Sequence, residues 1–582
     1  MSAMAGRRPG TTGLVVRGTT VVDGTGDPAY VADVTVTGGR ITDIGAPGSA
    51  VADGRRVLDA TGLALAPGFV DMHAHSDLAL LTEPDHLAKV GQGVTCEVLG
   101  QDGLSYAPVD DTTLAQLRQQ IAGWNGDPEG FDWDWRTVGE YLARLDRGIA
   151  VNACYLVPQG TVRALAMGWD ARPATDAELQ RQKELVAAAM AEGAVGMSSG
   201  LTYTPGMYAS TEELVELCRV VASAGGYYSP HHRSYGAGAL EAYAEMVEVS
   251  RASGCPLHLA HATMNFAVNA GRAQDLLDLL DTAIAGGCDL TLDTYPYLPG
   301  STTLAALLPS WASEGGPGPT LARLRDPATA ERIRHDMEAV GSDGCHGVPV
   351  DWTTIQISGT RSPSLTDRVG KTIADLAREA GVNDLPGQSG NVGETISGRG
   401  SGGAGRTSAG SADESGHTAF EVFRTQLLDD ELGTTILLHV GNEENVRAIM
   451  RHPAHTGGSD GLLTGARPHP RAWGTFPRYL GHYVRDEGVL TLEECVAHLS
   501  GRPAKRLNLV DRGFIRVGHH ADLVLFDPKT ITDTATYETP RRRPSGIPYV
   551  YVNGVAVINN GTPTGALPGK TLRHTPNGTH AL

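Results

Sequence analysis

The stretch Ala66-Pro67-Gly68-Phe69-Val70-Asp71-Met72-His73-Ala74-His75 sets two imidazoles two positions apart behind an apolar approach. Side chains alternate faces along a strand, so an extended 68–75 would project Asp71, His73 and His75 into one pocket. Imidazole is the commonest metal ligand, and an ion held by N and O atoms needs three or more of them. Further candidates stand where other apolar runs end: Asp102 in Gln101-Asp102-Gly103, His231, His261, and Asp460 in Gly457-Gly458-Ser459-Asp460-Gly461. Cys96 and Glu97 share a run with Asp102; the spacing assigns Cys96 to a barrel floor, Glu97 to the opposite face and Asp102 to the ligand position. A carboxylate beside the ion is placed to take a proton from water and pass it to a leaving amine, the role read for Asp460. The similar letters Gly341-Ser342-Asp343-Gly344 follow a helical run and read as a turn.

These residues need a frame that gathers positions hundreds of residues apart. Apolar runs at 68–75, 94–102, 149–157, 194–201, 226–231, 256–261, 289–295 and 455–460 alternate with amphipathic stretches, the texture of βα units around a parallel sheet. Thr175-Asp176-Ala177-Glu178 and Ser210-Thr211-Glu212-Glu213 read as helix starts, and Gly193, Gly254 and Gly286 as helix ends. Eight such units predict an α/β (β/α)8 TIM-like barrel, whose chemistry sits at the C-terminal ends of its strands. Short alternating strands at both ends of the chain predict one small β-sandwich domain, built from 11–64 and 513–573. Barrel strands 1–7 occupy 65–300, and 451–512 holds strand 8 with the closing helices. Residues 301–450 form an insertion after strand 7, with extra strands at 353–358 and 434–439 and a Gly/Ser-rich tract at 387–416 read as a mobile loop.

Bulk properties remove several classes of function. The net charge of −19 over 582 residues is spread along the chain with no basic stripe, which argues against nucleic acid. No run approaches the ~18–20 apolar residues of a membrane helix, and the polar start carries no secretory segment, so no membrane and a cytoplasmic location are expected. Seven scattered cysteines read as core thiols rather than a disulfide framework.

Several stretches together carry a family resemblance: Pro67-Gly68-Phe69-Val70-Asp71-Met72-His73-Ala74-His75, Gly196-Met197-Ser198-Ser199-Gly200-Leu201-Thr202-Tyr203, Asp293-Thr294-Tyr295-Pro296-Tyr297, Gly458-Ser459-Asp460-Gly461 and His469-Pro470-Arg471. From about residue 13 to 573 the chain resembles the D-aminoacylase (N-acyl-D-amino-acid deacylase) type of the amidohydrolase superfamily. The resemblance implies one metal corner at His73 and His75 and another at His231 and His261, holding one or two divalent ions, zinc foremost. It makes Asp460 the catalytic acid/base and Tyr203, Tyr295 and Arg471 substrate contacts. For the two tyrosines the alternative is core packing, and for Arg471 a structural ion pair. Gln101-Asp102-Gly103 stands where the family usually has Asn-Cys-Gly, and a carboxylate relaxes the preference for zinc. Thr263 replaces a common lysine, and Pro158-Gln159-Gly160 a His-Gly pair. The expected activity is metal-dependent hydrolysis of a non-peptide C–N amide, namely deacylation of an N-acyl-D-amino acid or related N-acyl amine. Its partner is a small-molecule substrate, with a homo-oligomer open. A cyclic amide or ureide hydrolase on the same barrel is the alternative, although 194–203 lacks the lysine those relatives present; a non-catalytic binding barrel is the distant one.

Overall fold

The structure is a computed structural model describing residues 13–382 and 418–581. Five strands come first: β1 (Leu14–Val21), β2 (Tyr30–Thr37), β3 (Arg40–Gly45), β4 (Arg56–Asp59) and β5 (Ala64–Pro67). Seven follow with helices between most of them: β6 (Phe69–Asp71), β7 (Val94–Leu99), β8 (Asn152–Pro158), β9 (Gly196–Gly200), β10 (Tyr227–His231), β11 (Leu257–Leu259) and β12 (Leu290–Thr294). The insertion supplies β13 (Gly300–Thr303), β14 (Ile355–Gly359) and β15 (Thr435–Leu438), and β16 (His455–Gly457) follows it. The chain then adds β17 (Leu523–Phe526), β18 (Tyr549–Val552), β19 (Val555–Asn559) and β20 (Thr562–Pro563).

Strands β6 to β12 and β16 make one sheet of parallel pairs in sequence order. Its two ends meet beyond β6 and β16. Ala74 bridges Gly461 in parallel, the Met72 N–H donates to Gly457 O at 3.2 Å, and the Asp460 N–H donates to His73 O at 2.8 Å. The sheet is therefore a closed eight-stranded barrel, as the βα alternation predicts. Its strands are buried along nearly their whole length, which explains why they read as apolar runs rather than as alternating ones. Thr175 and Glu178 form a reciprocal capping box and Gly254 ends its helix in left-handed geometry. Gly286 keeps a negative φ; Gly287, one residue on, makes the left-handed turn.

The first strand differs from its prediction. The ladder stops at Asp71, after a register shift between Phe69 and Val70, so His73 and His75 lie beyond it and Asp71 does not enter their pocket. Asp71 Oδ2 instead accepts from Lys89 Nζ at 2.6 Å, and Oδ1 from the backbone N–H of His73 and Ser459. A buried ammonium outcompetes the pocket for this carboxylate.

Strands from both chain ends share one nine-stranded sheet, in which β5 pairs β17 antiparallel and β1 pairs β2, β4 and β5. Val16, Val34, Leu65, Leu523 and Leu525 meet in its core. In the insertion, β13, β15 and β14 form an antiparallel sheet over a separate apolar cluster that includes Trp352 and Phe423. The Gly/Ser-rich tract expected to be mobile lies outside the described residues. The seven cysteines are free, and no described helix is long and apolar enough to cross a membrane.

Candidate metal centre

The barrel brings His73, His75, Asp102, His231, His261 and Asp460 to one rim. Asp102 is the hub. Its Oδ1 lies 3.4 Å from His73 Nε2 and 3.5 Å from His261 Nε2, and its Oδ2 lies 3.4 Å from His75 Nε2 and 3.5 Å from His231 Nδ1. Asp460 Oδ1 stands 3.2 Å from His75 Nε2, while His231 Nδ1 and His261 Nε2 are 2.9 Å apart. Two overlapping sets result, His73 with His75, Asp102 and Asp460, and Asp102 with His231 and His261; in each, the candidate atoms lie within 4.8 Å of one another.

Ligand atoms around a tetrahedral ion with bonds of about 2.0–2.2 Å stand about 3.3–3.6 Å apart, close to the spacings around Asp102. His73 is wholly buried, yet neither ring nitrogen has a hydrogen-bond partner, nor has Asp102 Oδ1. Buried polar atoms without partners are costly, and a divalent cation would satisfy His73 Nε2 and Asp102 Oδ1 together, while His73 Nδ1 faces Asp293 Oδ2 at 3.7 Å. The residues present thus fit a metal, with Asp102 able to serve both corners.

Neighbouring groups orient these side chains, the arrangement that metal-binding imidazoles need. Thr202 Oγ1 lies 2.6 Å from His231 Nε2, and the Tyr235 hydroxyl 2.9 Å from His261 Nδ1. Asp293 accepts the His261 backbone N–H at 2.9 Å, sits 3.0 Å from His258 Nε2, and holds its second oxygen 3.7 Å from His73 Nδ1. Asp102, His261 and Asp460 all have positive φ, at 54°, 32° and 48°. Left-handed backbone in residues with a Cβ costs of order 1–3 kcal/mol each. The backbone is crowded beside two of these turns: a Cβ on Gly103 would meet the Gly200 nitrogen at 2.5 Å, and one on Gly458 would meet Asp293 Oδ1 at 2.7 Å.

The electrostatics of the rim are those of buried anions matched to imidazoles. Burial opposes ionisation of Asp102, but His73, His231 and His261 together hold its carboxyl well below the usual range. For Asp460 burial is likewise overcome, chiefly by the Arg471 guanidinium and then by His73. Burial opposes protonation of His73, yet Asp102 and Asp460 raise its pKa well above the ordinary value. Burial pushes the Tyr295 phenol up to about 12 and raises Tyr203, with Asp102 adding to the effect.

Tyr203 and Tyr295 line the cavity over this rim, the Tyr203 hydroxyl lying 3.0 Å from Thr302 Oγ1. Arg471 lies behind the cavity wall, wholly buried. Its Nη2 is 2.9 Å from Asp460 Oδ2 and its guanidinium stacks 4.3 Å from the Tyr295 ring centroid, while Nε and Nη1 have no partner. Cys96 packs in an apolar cluster with Val70, Cys154 and Leu156, and Glu97 turns outward to His86 and Lys89. Sequence reasoning missed the second rank. Thr202 adjoins Tyr203, and Asp293 stands in a quoted motif, but neither pattern tells which imidazole they address. Asp343 does lie in a turn, as read, and that turn delivers His346 to the cavity wall.

A match to the amidohydrolase family spans residues 56–558. This chain belongs to that family. The amidohydrolase is 32% identical over 566 residues to a D-aminoacylase of Alcaligenes xylosoxydans xylosoxydans, covering 97% of this chain and 98% of the relative. A solved D-aminoacylase, described for the functional role of its binuclear metal centre with one-metal activation and second-metal attenuation, superposes with a TM-score of 0.76 at 32% identity, over 96% of this chain and 99% of that one. An N-acyl-D-glutamate deacylase from Bordetella bronchiseptica, complexed with zinc and a phosphonate mimic of the tetrahedral intermediate, matches at 0.76 and 30% over the same shares.

Proposed function

We propose that this amidohydrolase removes the acyl group from an N-acyl-D-amino acid or a related N-acyl amine. One observation carries the reading: four imidazoles converge on a single carboxylate, Asp102, with Asp460 beside them and Arg471 behind. His73, His75, Asp102, His231 and His261 would hold one or two divalent ions, zinc foremost. When bound, a divalent ion polarises the scissile carbonyl and acidifies water beside it. Asp460 accepts a proton from the attacking water as the new C–O bond forms, then returns it to the nitrogen as the C–N bond breaks, releasing carboxylic acid and free amine. The Tyr203 hydroxyl, kept protonated by burial, is a donor for charge developing on the carbonyl oxygen. Arg471, behind the cavity wall and paired with Asp460, supplies the positive charge that attracts the carboxylate of the amino-acid half. Its bond to Asp460 ties recognition of that carboxylate to placement of the proton acceptor.

The cyclic amide or ureide alternative is disfavoured by β9, whose five residues Gly196-Met197-Ser198-Ser199-Gly200 include no lysine facing the rim. The direct test is release of free amine from N-acetyl-D- and N-acetyl-L-amino acids, with hydantoin and dihydrouracil in parallel. Turnover of the D-series supports the reading; turnover of the cyclic amides alone would overturn it.

A further inference from the structure

Beside the catalytic cavity lies a second hollow, between the insertion sheet and the loop that follows β11. It encloses about 540 Å3, against about 80 Å3 for the cavity over the rim. Phe266, Leu307, Leu438 and Val440 line both spaces, so the two adjoin at these four apolar side chains, which form the neck between them. Phe266 is pinned there: its φ is 65°, and its N–H donates to Val440 O at 2.7 Å. Beyond the neck the walls continue through Val268, Val348, Pro349, Val350 and Ile355. Val268, at the lip, is 47% exposed, unusual for a large aliphatic side chain.

We infer that this groove receives the apolar tail of a medium- or long-chain acyl group, a refinement that rests on the deacylase reading above. The direction follows from the order of groups along the rim. Asp460 and Arg471 mark the end where nitrogen and carboxylate lie. At the other end ring centroids step from His231 to Tyr235 (4.9 Å), to His346 (5.6 Å) and to Phe266 (5.6 Å), which is the neck. A substrate whose nitrogen faces Asp460 therefore extends its acyl side toward the groove. Volume supports this. At roughly 10–15 Å3 per ordered water, the inner cavity holds about half a dozen water-sized groups, so a longer acyl chain must leave it. Of the two acidic residues in the groove's walls, Glu338 is paired with Arg334 at 3.0 Å, and Asp351 disfavours an acidic amino-acid side chain as the occupant.

The test compares kcat/KM for N-acetyl-, N-butanoyl-, N-hexanoyl- and N-octanoyl-D-leucine, and separately for N-acetyl-D-alanine, N-acetyl-D-leucine and N-acetyl-D-phenylalanine. The groove predicts a rise of about 2- to 4-fold per added methylene of acyl chain, mostly in KM, with a weaker response to the side chain. Val268→Asp, at an exposed position, lowers the octanoyl-to-acetyl ratio of kcat/KM by about 10-fold, about the loss of two buried methylenes. A ratio near one in the parent enzyme, or a rise that follows the side chain instead of the acyl group, overturns the inference while leaving deacylation intact. Failure to hydrolyse any N-acyl-D-leucine, alongside turnover of another substrate class, removes the deacylase reading and this inference with it.

Discussion

Two clusters of buried charge flank the same barrel strands, and they differ in how far their atoms are satisfied. On the outer side of β6 and β7, Lys89 Nζ bonds Asp71 Oδ2 at 2.6 Å, lies 2.8 Å from Glu97 Oε1 and donates to Ser459 Oγ at 2.9 Å. Glu97 is further met by His86 Nε2 at 2.9 Å and Ser76 Oγ at 3.1 Å. None of these charged atoms lacks a partner. On the inner side, His73, Asp102 and Arg471 are as deeply buried and keep orphaned nitrogens and an orphaned oxygen. Burial alone therefore does not mark function in this molecule. The outer cluster closes on itself and joins the barrel seam through Asp71 and Ser459; the inner one leaves buried atoms that the proposed ion would satisfy.

If that contrast holds, substitutions in the two clusters should fail in different ways. The largest loss is expected for Asp102→Ala, which removes the proposed shared ligand: activity falls below about 10⁻⁴ of the parent, metal content drops, and the metal-free variant melts close to the metal-free parent, because the stability that goes with the ion is absent from both. Circular dichroism melts of both proteins after chelation, with metal analysis before it, check this, and a much lower melting temperature for the metal-free variant than for the metal-free parent would place Asp102 with the structural cluster. Asp460→Asn should retain metal and fold while kcat falls by about 10²- to 10⁴-fold, the range of general acid–base catalysis. Lys89→Met sharpens the contrast from the other side. Two carboxylates lose their buried cation, so stability should drop by about 3–5 kcal/mol, read as an earlier urea midpoint, while metal content of the folded fraction is kept. Metal loss without destabilisation would show that the outer cluster serves the site directly.

Smaller effects follow. Tyr203→Phe should lower kcat by about 10- to 100-fold with metal retained, somewhat under the usual cost of an oxyanion donor; an unchanged kcat returns Tyr203 to core packing. The outer cluster should also shape acid stability. Burial opposes ionisation of Glu97, but Lys89 and His86 bring its pKa down from 4.5 to about 2. A depressed carboxylate stabilises the fold above its unfolded pKa and loses that contribution as pH falls. Part of the stability should therefore disappear between about pH 4.5 and 2, and Glu97→Gln should flatten that limb of the pH–stability profile.

Much of this frame was legible in the sequence because it rests on local patterns. Eight apolar runs bounded by turns gave the barrel and its strand order, and residues at the ends of those runs, His231, His261 and Asp460, arrive at the rim. What was not legible depends on backbone detail or distant partners. The β6 ladder stops at Asp71 because Lys89, eighteen residues on, claims that carboxylate, and no periodicity announces such a pairing. The left-handed turns at Asp102 and Asp460 are hinted at only by the glycine after each. His346 reaches the cavity from a turn whose letters suggested nothing beyond a turn. The second hollow is formed between elements far apart in sequence, so neither composition nor spacing could reveal it.

Metal analysis of the purified full-length chain, run beside the Asp102→Ala variant with deacylation of N-acetyl-D-amino acids followed on the same samples, is the most direct measurement of the central claim. The expected result is at least one tightly held divalent ion per chain in the parent, its loss in the variant, and activity that follows the ion through chelation and reloading. Full deacylase activity in a parent chain stripped of divalent ions would contradict it.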